Sequence, residues 1–139
     1  MTQPTSPLVD ALQRVGDRWS LLVIDALMDG PMRFNDLART VEGIAPNTLS
    51  HRLRRLERDG VLVGEPYSER PLRHSYRLTN EGQDLAGVLR LLATWGRGAE
   101  MTGEGLHHET CGTSIEARWY CPTCARLVEE RESTELRRI

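Results

Sequence analysis

The chain has 139 residues, 39% of them apolar, which suffices for one packed domain with a small appendage and is too apolar for a disordered segment. The net charge of −2 is nearly neutral, so bulk charge announces no polyanionic partner and only its distribution can. The opening "MTQPTSPLVD" has neither a basic start nor an apolar run, and the longest apolar run is "LLVI" (Leu21 to Ile24). No signal peptide and no membrane span are therefore expected, and the expected location is cytoplasmic, where disulfides are uncommon.

Leu8, Leu12 and Val15 recur at helical spacing and predict a first amphipathic helix over residues 7–16. Gly16 interrupts it, and Asp17 is placed to cap a second helix, "RWSLLVIDALMDG", which is apolar on nearly all sides and reads as a central buried helix ending near Gly30. "MRF" reads as a short strand. Asn35 is the expected cap of a third helix with Leu37 and Val41 inward. Pro46 stands at the first turn of a fourth helix over 46–59, which Gly60 ends. "VLVGEPYS" and "HSYRLT" read as two strands joined by the charged turn "ERPLR", residues 69–73. Thr79 is placed to cap a last long helix, Asn80 to about Ala99, with Leu85, Val88, Leu89, Leu92 and Trp95 in one stripe.

This order of elements is that of a winged helix-turn-helix domain, mainly α with a small β wing. The expected organisation is that domain over 7–100, a small zinc-ribbon-like hairpin over 105–128, and a charged tail over 129–139.

The fourth helix has two distinct faces. With 100° per residue, Leu49, Leu53 and Leu56 fall on one stripe, and Asn47, His51, Arg54, Arg55 and Arg58 fall opposite, flanked by Thr48 and Ser50. Residues 46–77 hold seven arginines and four acids, a balance of +3, whereas residues 78–139 hold seven arginines and ten acids, a balance of −3. The positive charge thus lies on the two elements that would touch duplex DNA, where arginine neutralises phosphate and reads guanine. The candidate DNA contacts are Asn47, Thr48, Ser50, His51, Arg52, Arg54 and Arg55 on the helix, and Arg70 and Arg73 on the wing. Arg52 lies near the edge of the leucine stripe, so a phosphate contact or a structural salt bridge suits it better than a base contact.

All three cysteines lie near the end, as His108-x2-Cys111, nine residues, then Cys121-x2-Cys124. Two x2 pairs across a short loop match the spacing of a tetrahedral Cys3His zinc site, closed and therefore structural. "IEARWY" (115–120) is the expected strand between the pairs. His107 is the alternative to His108 as the fourth ligand. The competing expectation is redox sensing through these thiols.

The segments "GDRWSLLVIDALMDGPMRFNDL", "GIAPNTLSHRLRRLERDGVL" and "RHSYRLTNEGQDL", with Trp95-Gly96, resemble the HxlR-type winged-helix regulators, relatives of the MarR group, over residues 8–97. The resemblance implies a homodimeric, DNA-binding transcription regulator, with the first and last helices forming the dimer interface and the fourth helices entering successive major grooves. Many members carry a sensing cysteine just ahead of the first helix. Here that region reads "TSPLVDAL", and sensing by a thiol at that place is excluded.

The chain shows no nucleophile elbow, no phosphate-binding glycine loop and no paired acids, so no enzyme activity is expected. The alternative function is a protein-interaction module acting through the tail. No residue singles out a small-molecule effector.

Overall fold

Gly16 and Asp17 divide the first two helices, α1 (Pro7–Val15) and α2 (Arg18–Ala26). Asp17 is extended, and its carboxylate accepts the backbone N–H groups of Trp19 (3.1 Å) and Ser20 (3.0 Å), the N-cap arrangement expected of it. The Ser20 hydroxyl, on a fully buried residue, donates to the same carboxylate at 2.6 Å. The structure is a computed structural model that describes residues 6–97 and 106–128. The chain divides into two compact units, Met1–Arg90 and Leu91–Ile139.

In the first unit, α2 is followed by β1 (Met32–Arg33), α3 (Phe34–Thr40), α4 (Pro46–Arg58), β2 (Leu62–Glu69), β3 (Leu72–Leu78), α5 (Asn80–Gln83) and the start of α6 (Ala86–Gly96). The three strands form one antiparallel sheet in the order β1-β3-β2. Met32 pairs with Tyr76, and the β2–β3 hairpin runs from Leu62↔Leu78 at its base to Glu69↔Leu72 at its tip. The register shifts between Pro66 and Ser68, so Tyr67 has no partner across the ladder.

The core draws on α2, α3, α4, the hairpin strands and α6, with Val15 at the end of α1 and Met32 of β1 partly buried against it. Val23, Ile24 and Leu27 follow one face of α2, and Leu37 and Val41 one face of α3. Leu49, Leu53 and Leu56 contribute the stripe of α4, and Val61, Leu62 and Leu78 the root of the hairpin. α1 has no buried residue, and Leu8, Val9 and Leu12 are exposed on it.

Four local expectations are corrected. α2 ends at Ala26 rather than near Gly30, and Leu22 is 44% exposed, so α2 is buried on one side only. Asn35 does not cap α3: the helix begins one residue earlier, at Phe34, with extended Arg33 in the cap position and no side-chain cap. The long last helix is two helices. Thr79 does cap its start, accepting from Gly82 N–H at 3.1 Å and donating to the Gly60 carbonyl at 2.6 Å. The chain then tightens to an i→i+3 bond, Leu85 N–H to the Gly82 carbonyl at 3.2 Å, before α6 resumes with Leu89 bonded to Leu85. In the second unit the strand expected over 115–120 is only β4 (Trp119–Cys121), paired antiparallel with β5 (Arg126–Val128). The end of the long helix beyond residue 97 and the charged tail 129–139 lie outside the described residues.

Gly82 is fixed by a close approach. A β-carbon there would fall 2.1 Å from the Val61 carbonyl oxygen, whose position is also held by the Thr79 N–H at 3.1 Å. Gly82→Ala should therefore destabilise the chain by about 1–3 kcal/mol, despite alanine's better helix propensity. Urea unfolding measures this, and an unchanged or raised midpoint would show that α5 can lift from the hairpin root freely.

Candidate nucleic-acid interface

Burial of Leu49, Leu53 and Leu56, at 0%, 2% and 0% exposure, fixes the rotation of α4 about its axis. Side chains half a turn away must then face solvent. Asn47, His51, Arg54 and Arg58 do so, and Thr48 and Ser50 flank them half-buried. At the hairpin tip Arg70 and Arg73 are exposed. The structure thus exposes five of the nine expected DNA-contact residues along α4 and the hairpin tip, with Thr48 and Ser50 half-buried beside them.

Arg52 and Arg55 are engaged within the chain. Arg52 is half-buried, and its inaccessible Nε lies 3.2 Å from Asp17 Oδ1, an ion pair whose alignment falls short of a hydrogen bond. Arg55 donates to the Gln13 carbonyl of α1 and stands 3.9 Å from the Asp59 carboxylate. These two arginines pin α4 to α2 and α1. For Arg52 this is the structural salt bridge that its angular position allowed. Burial pushes the Asp17 carboxyl up, but the Ser20 hydroxyl and N–H, Arg52 and the Trp19 N–H outweigh it and hold it below the usual range.

A second basic region lies in a groove between α3 and the hairpin, lined in part by Arg33, Arg39, Arg73 and His74. The Arg33 guanidinium sits 4.5 Å over the Tyr67 ring, and Arg39 pairs with Asp36 one turn earlier. Tyr76 also lines the groove. Burial and the Glu57 carboxylate push its hydroxyl up against the opposing pull of Arg54, so it remains a neutral hydrogen-bond donor. Sequence reading missed Arg33 and Arg39 because β1 and α3 are short. What brings Arg33 to the groove is its pairing with Ser75, which carries β1 onto the wing and has no signal in the sequence.

The second unit holds the expected metal ligands. His108 Nδ1 lies 3.4 Å from Cys111 Sγ. The Thr113 hydroxyl and N–H hold the Cys111 thiol below the usual thiol range, and the Cys124 N–H and thiol, the Thr123 N–H and Arg126 do the same for Cys121. All three cysteines are free thiols. The structure brings His108 to Cys111 and Cys121 to Cys124. Among the described residues, no three His, Cys, Asp or Glu side chains gather closely enough to hold one ion. His107 is bridged through its backbone to Ser114 instead.

A leucine-anchored helix following a shorter one, with a two-stranded wing beside it, defines the winged helix-turn-helix class. A family model described as HxlR-like helix-turn-helix matches residues 14–103, and the chain belongs to that family. An uncharacterized HTH-type transcriptional regulator of Mycobacterium tuberculosis is 41% identical over 128 residues, covering 89% of this chain and 80% of the relative. Among solved structures, a putative transcription factor of Pseudomonas aeruginosa superposes with a TM-score of 0.68 at 32% identity, covering 91% of this chain and 88% of that one. The reduced form of the regulator YodB from Bacillus subtilis gives 0.59 at 31% identity, over 75% and 100% of the two chains. No helix among the described residues is long and apolar enough to cross a membrane.

Removing Asp17 should cost about 0.5–2 kcal/mol near neutral pH, because the N-cap and the tie to α4 go together. Since the folded Asp17 carboxyl is held below its ordinary value of 3.8, this contribution is present above that pH and is lost as pH falls through the folded value. The stability gap between the wild type and Asp17→Ala, followed by denaturant unfolding from pH 7 to pH 2, should therefore close below about 4. A gap that stays constant to pH 2 would show that the carboxylate charge plays no part.

Proposed function

We propose that this chain is a cytoplasmic transcriptional regulator that binds an operator in duplex DNA as a homodimer. One observation carries the reading: α4 buries its leucines and turns Asn47, His51 and Arg54 outward, and the hairpin tip adds Arg70 and Arg73. Asn47, Ser50, His51 and Arg54 are the base or groove contacts, with Thr48 beside them. Arg70 and Arg73 hold phosphate or the minor groove. Arg52 and Arg55 set the angle of α4 through Asp17 and Gln13, and their effect on DNA is positional.

The dimer surface in this reading comes from α1 and α6. Leu8, Val9 and Leu12 on the first, and Val88, Leu91, Leu92 and Trp95 on the second, are all exposed; Trp95 reaches 81%. The family names its members as helix-turn-helix proteins, and the relatives reported above are named regulators, which supports the same assignment. No catalytic role is assigned to any residue.

Fluorescence anisotropy with the duplex upstream of the chain's own gene tests this. The wild type should bind with an affinity that falls steeply with salt. Arg54→Ala should lose about tenfold or more and relax sequence preference, and Arg73→Ala should weaken all sequences alike and lower the salt slope by about one. Both variants should unfold within about 0.5 kcal/mol of the wild type, as exposed sites do. Binding unaffected by either variant, or sedimentation as a monomer at concentrations that saturate the duplex, would overturn the reading.

A further inference from the structure

We propose that His108, Cys111, Cys121 and Cys124 bind one zinc ion in a closed tetrahedral site that holds the second unit together. This inference does not depend on DNA binding. It rests on two turns that each place two ligand-bearing residues three apart and follow the second with a residue of positive φ.

In the first turn, the backbone N–H groups of Cys111 (3.2 Å) and Gly112 (2.7 Å) both donate to the His108 carbonyl, and Gly112 takes a φ of +68°. In the second turn, Cys121 and Cys124 flank the reversal between β4 and β5, and Ala125 takes a φ of +51°. Among the described residues, Ala125 is the one non-glycine residue with positive φ. An L-residue with a β-carbon does not adopt that conformation without a compensating constraint. The same left-handed residue follows the second ligand of both pairs, where it turns the chain away and leaves two side chains facing one point.

The pair geometry suits the metal. Zinc–sulfur and zinc–imidazole bonds of about 2.3 and 2.0–2.1 Å at a tetrahedral angle place sulfur and nitrogen about 3.6 Å apart. His108 Nδ1 and Cys111 Sγ stand at 3.4 Å. That separation selects His108 over His107, whose backbone is bridged to Ser114. Cys121 sulfur is in contact with the N–H and thiol of Cys124. Three thiolates and a neutral imidazole around a divalent ion leave a charge of −1, and Arg126 stands beside Cys121 to offset it.

The second unit also needs a cross-link. Of residues 106–128, only Cys121 and Val128 are even half-buried, while Trp119, Tyr120, Ile115 and Leu127 are exposed. No apolar core accounts for two successive tight turns, and a structural metal is the usual substitute at this size. Among the described residues the two pairs do not gather into one site, and in this proposal the bound ion draws them together across residues 112–120.

The test uses the full chain, purified without chelator or added metal. Plasma mass spectrometry should find about one zinc per chain, released by a mercurial reagent as the thiols are titrated. Cobalt(II) in its place should show thiolate charge-transfer bands and a tetrahedral ligand-field spectrum. Cys124→Ser and His108→Ala should each weaken zinc retention against a chelator by about tenfold or more, while His107→Ala retains it. Circular dichroism of these variants should keep the helical signal, which separates metal loss from unfolding of the winged helix. Zinc below about half an equivalent with three free thiols, an isolated Cys121–Cys124 disulfide in place of metal, or full retention in Cys124→Ser would each overturn the proposal.

Discussion

The rotation of one helix governs the geometry of the first unit. Leu49, Leu53 and Leu56 are buried together, and burying each such side chain stabilises by about 1.5–3 kcal/mol. A rotation of α4 that exposed the stripe would forfeit that sum and drive Arg54 and His51 into the core as unpaired polar groups. The polar face is therefore oriented by the apolar one. The ion pair of Arg52 with Asp17 adds a constraint that burial alone cannot supply, because it fixes α4 against the start of α2 along the helix axis as well as around it.

Much of this was legible in the sequence. Periodicity identified the leucine stripe, and the capping roles of Asp17 and Thr79 followed from residue type and position. The misplaced features share a cause: tertiary contact overrode a local signal. Asn35 is a good cap by type, but the extended Arg33 belongs to β1 and its guanidinium lies over Tyr67, so Phe34 becomes the first helical residue. The Thr79 cap and the stripe from Leu85 to Trp95 together predict one continuous helix from Asn80. The approach of Gly82 to the Val61 carbonyl and the i→i+3 bond at Leu85 break it, and neither is visible in hydrophobic spacing. The division of labour among the arginines was only half legible. Helical angle marked Arg52 as peripheral but gave Arg55 to the outer face, because the angle says nothing of the Gln13 carbonyl that α1 presents.

The tail is legible by different rules. The spacing of its histidine and cysteines comes directly from the sequence, whereas its secondary structure does not, since of the six residues of strand-like composition only Trp119 and Tyr120 are strand. In a segment without a core, β propensity has no packing partner to reward it, and turn chemistry dominates instead. Gly112 was identifiable as a turn residue by type. The left-handed Ala125 was not, because alanine carries no sequence signal for that conformation.

The connection of α1 to the rest of the first unit is largely polar, with Val15 at its C-terminal end the residue that packs against the core. None of its residues is buried. Arg14 reaches the Asp59 carbonyl at 2.6 Å and Glu81 at 2.5 Å, and the Gln13 carbonyl receives Arg55. A helix held mainly by hydrogen bonds at its C-terminal end keeps its apolar residues Leu8, Val9 and Leu12 available to another surface. Its anchor points Arg55, Asp59 and Glu81 belong to the end of α4 and to α5, so the placement of α1 is tied to that of α4 through guanidinium contacts.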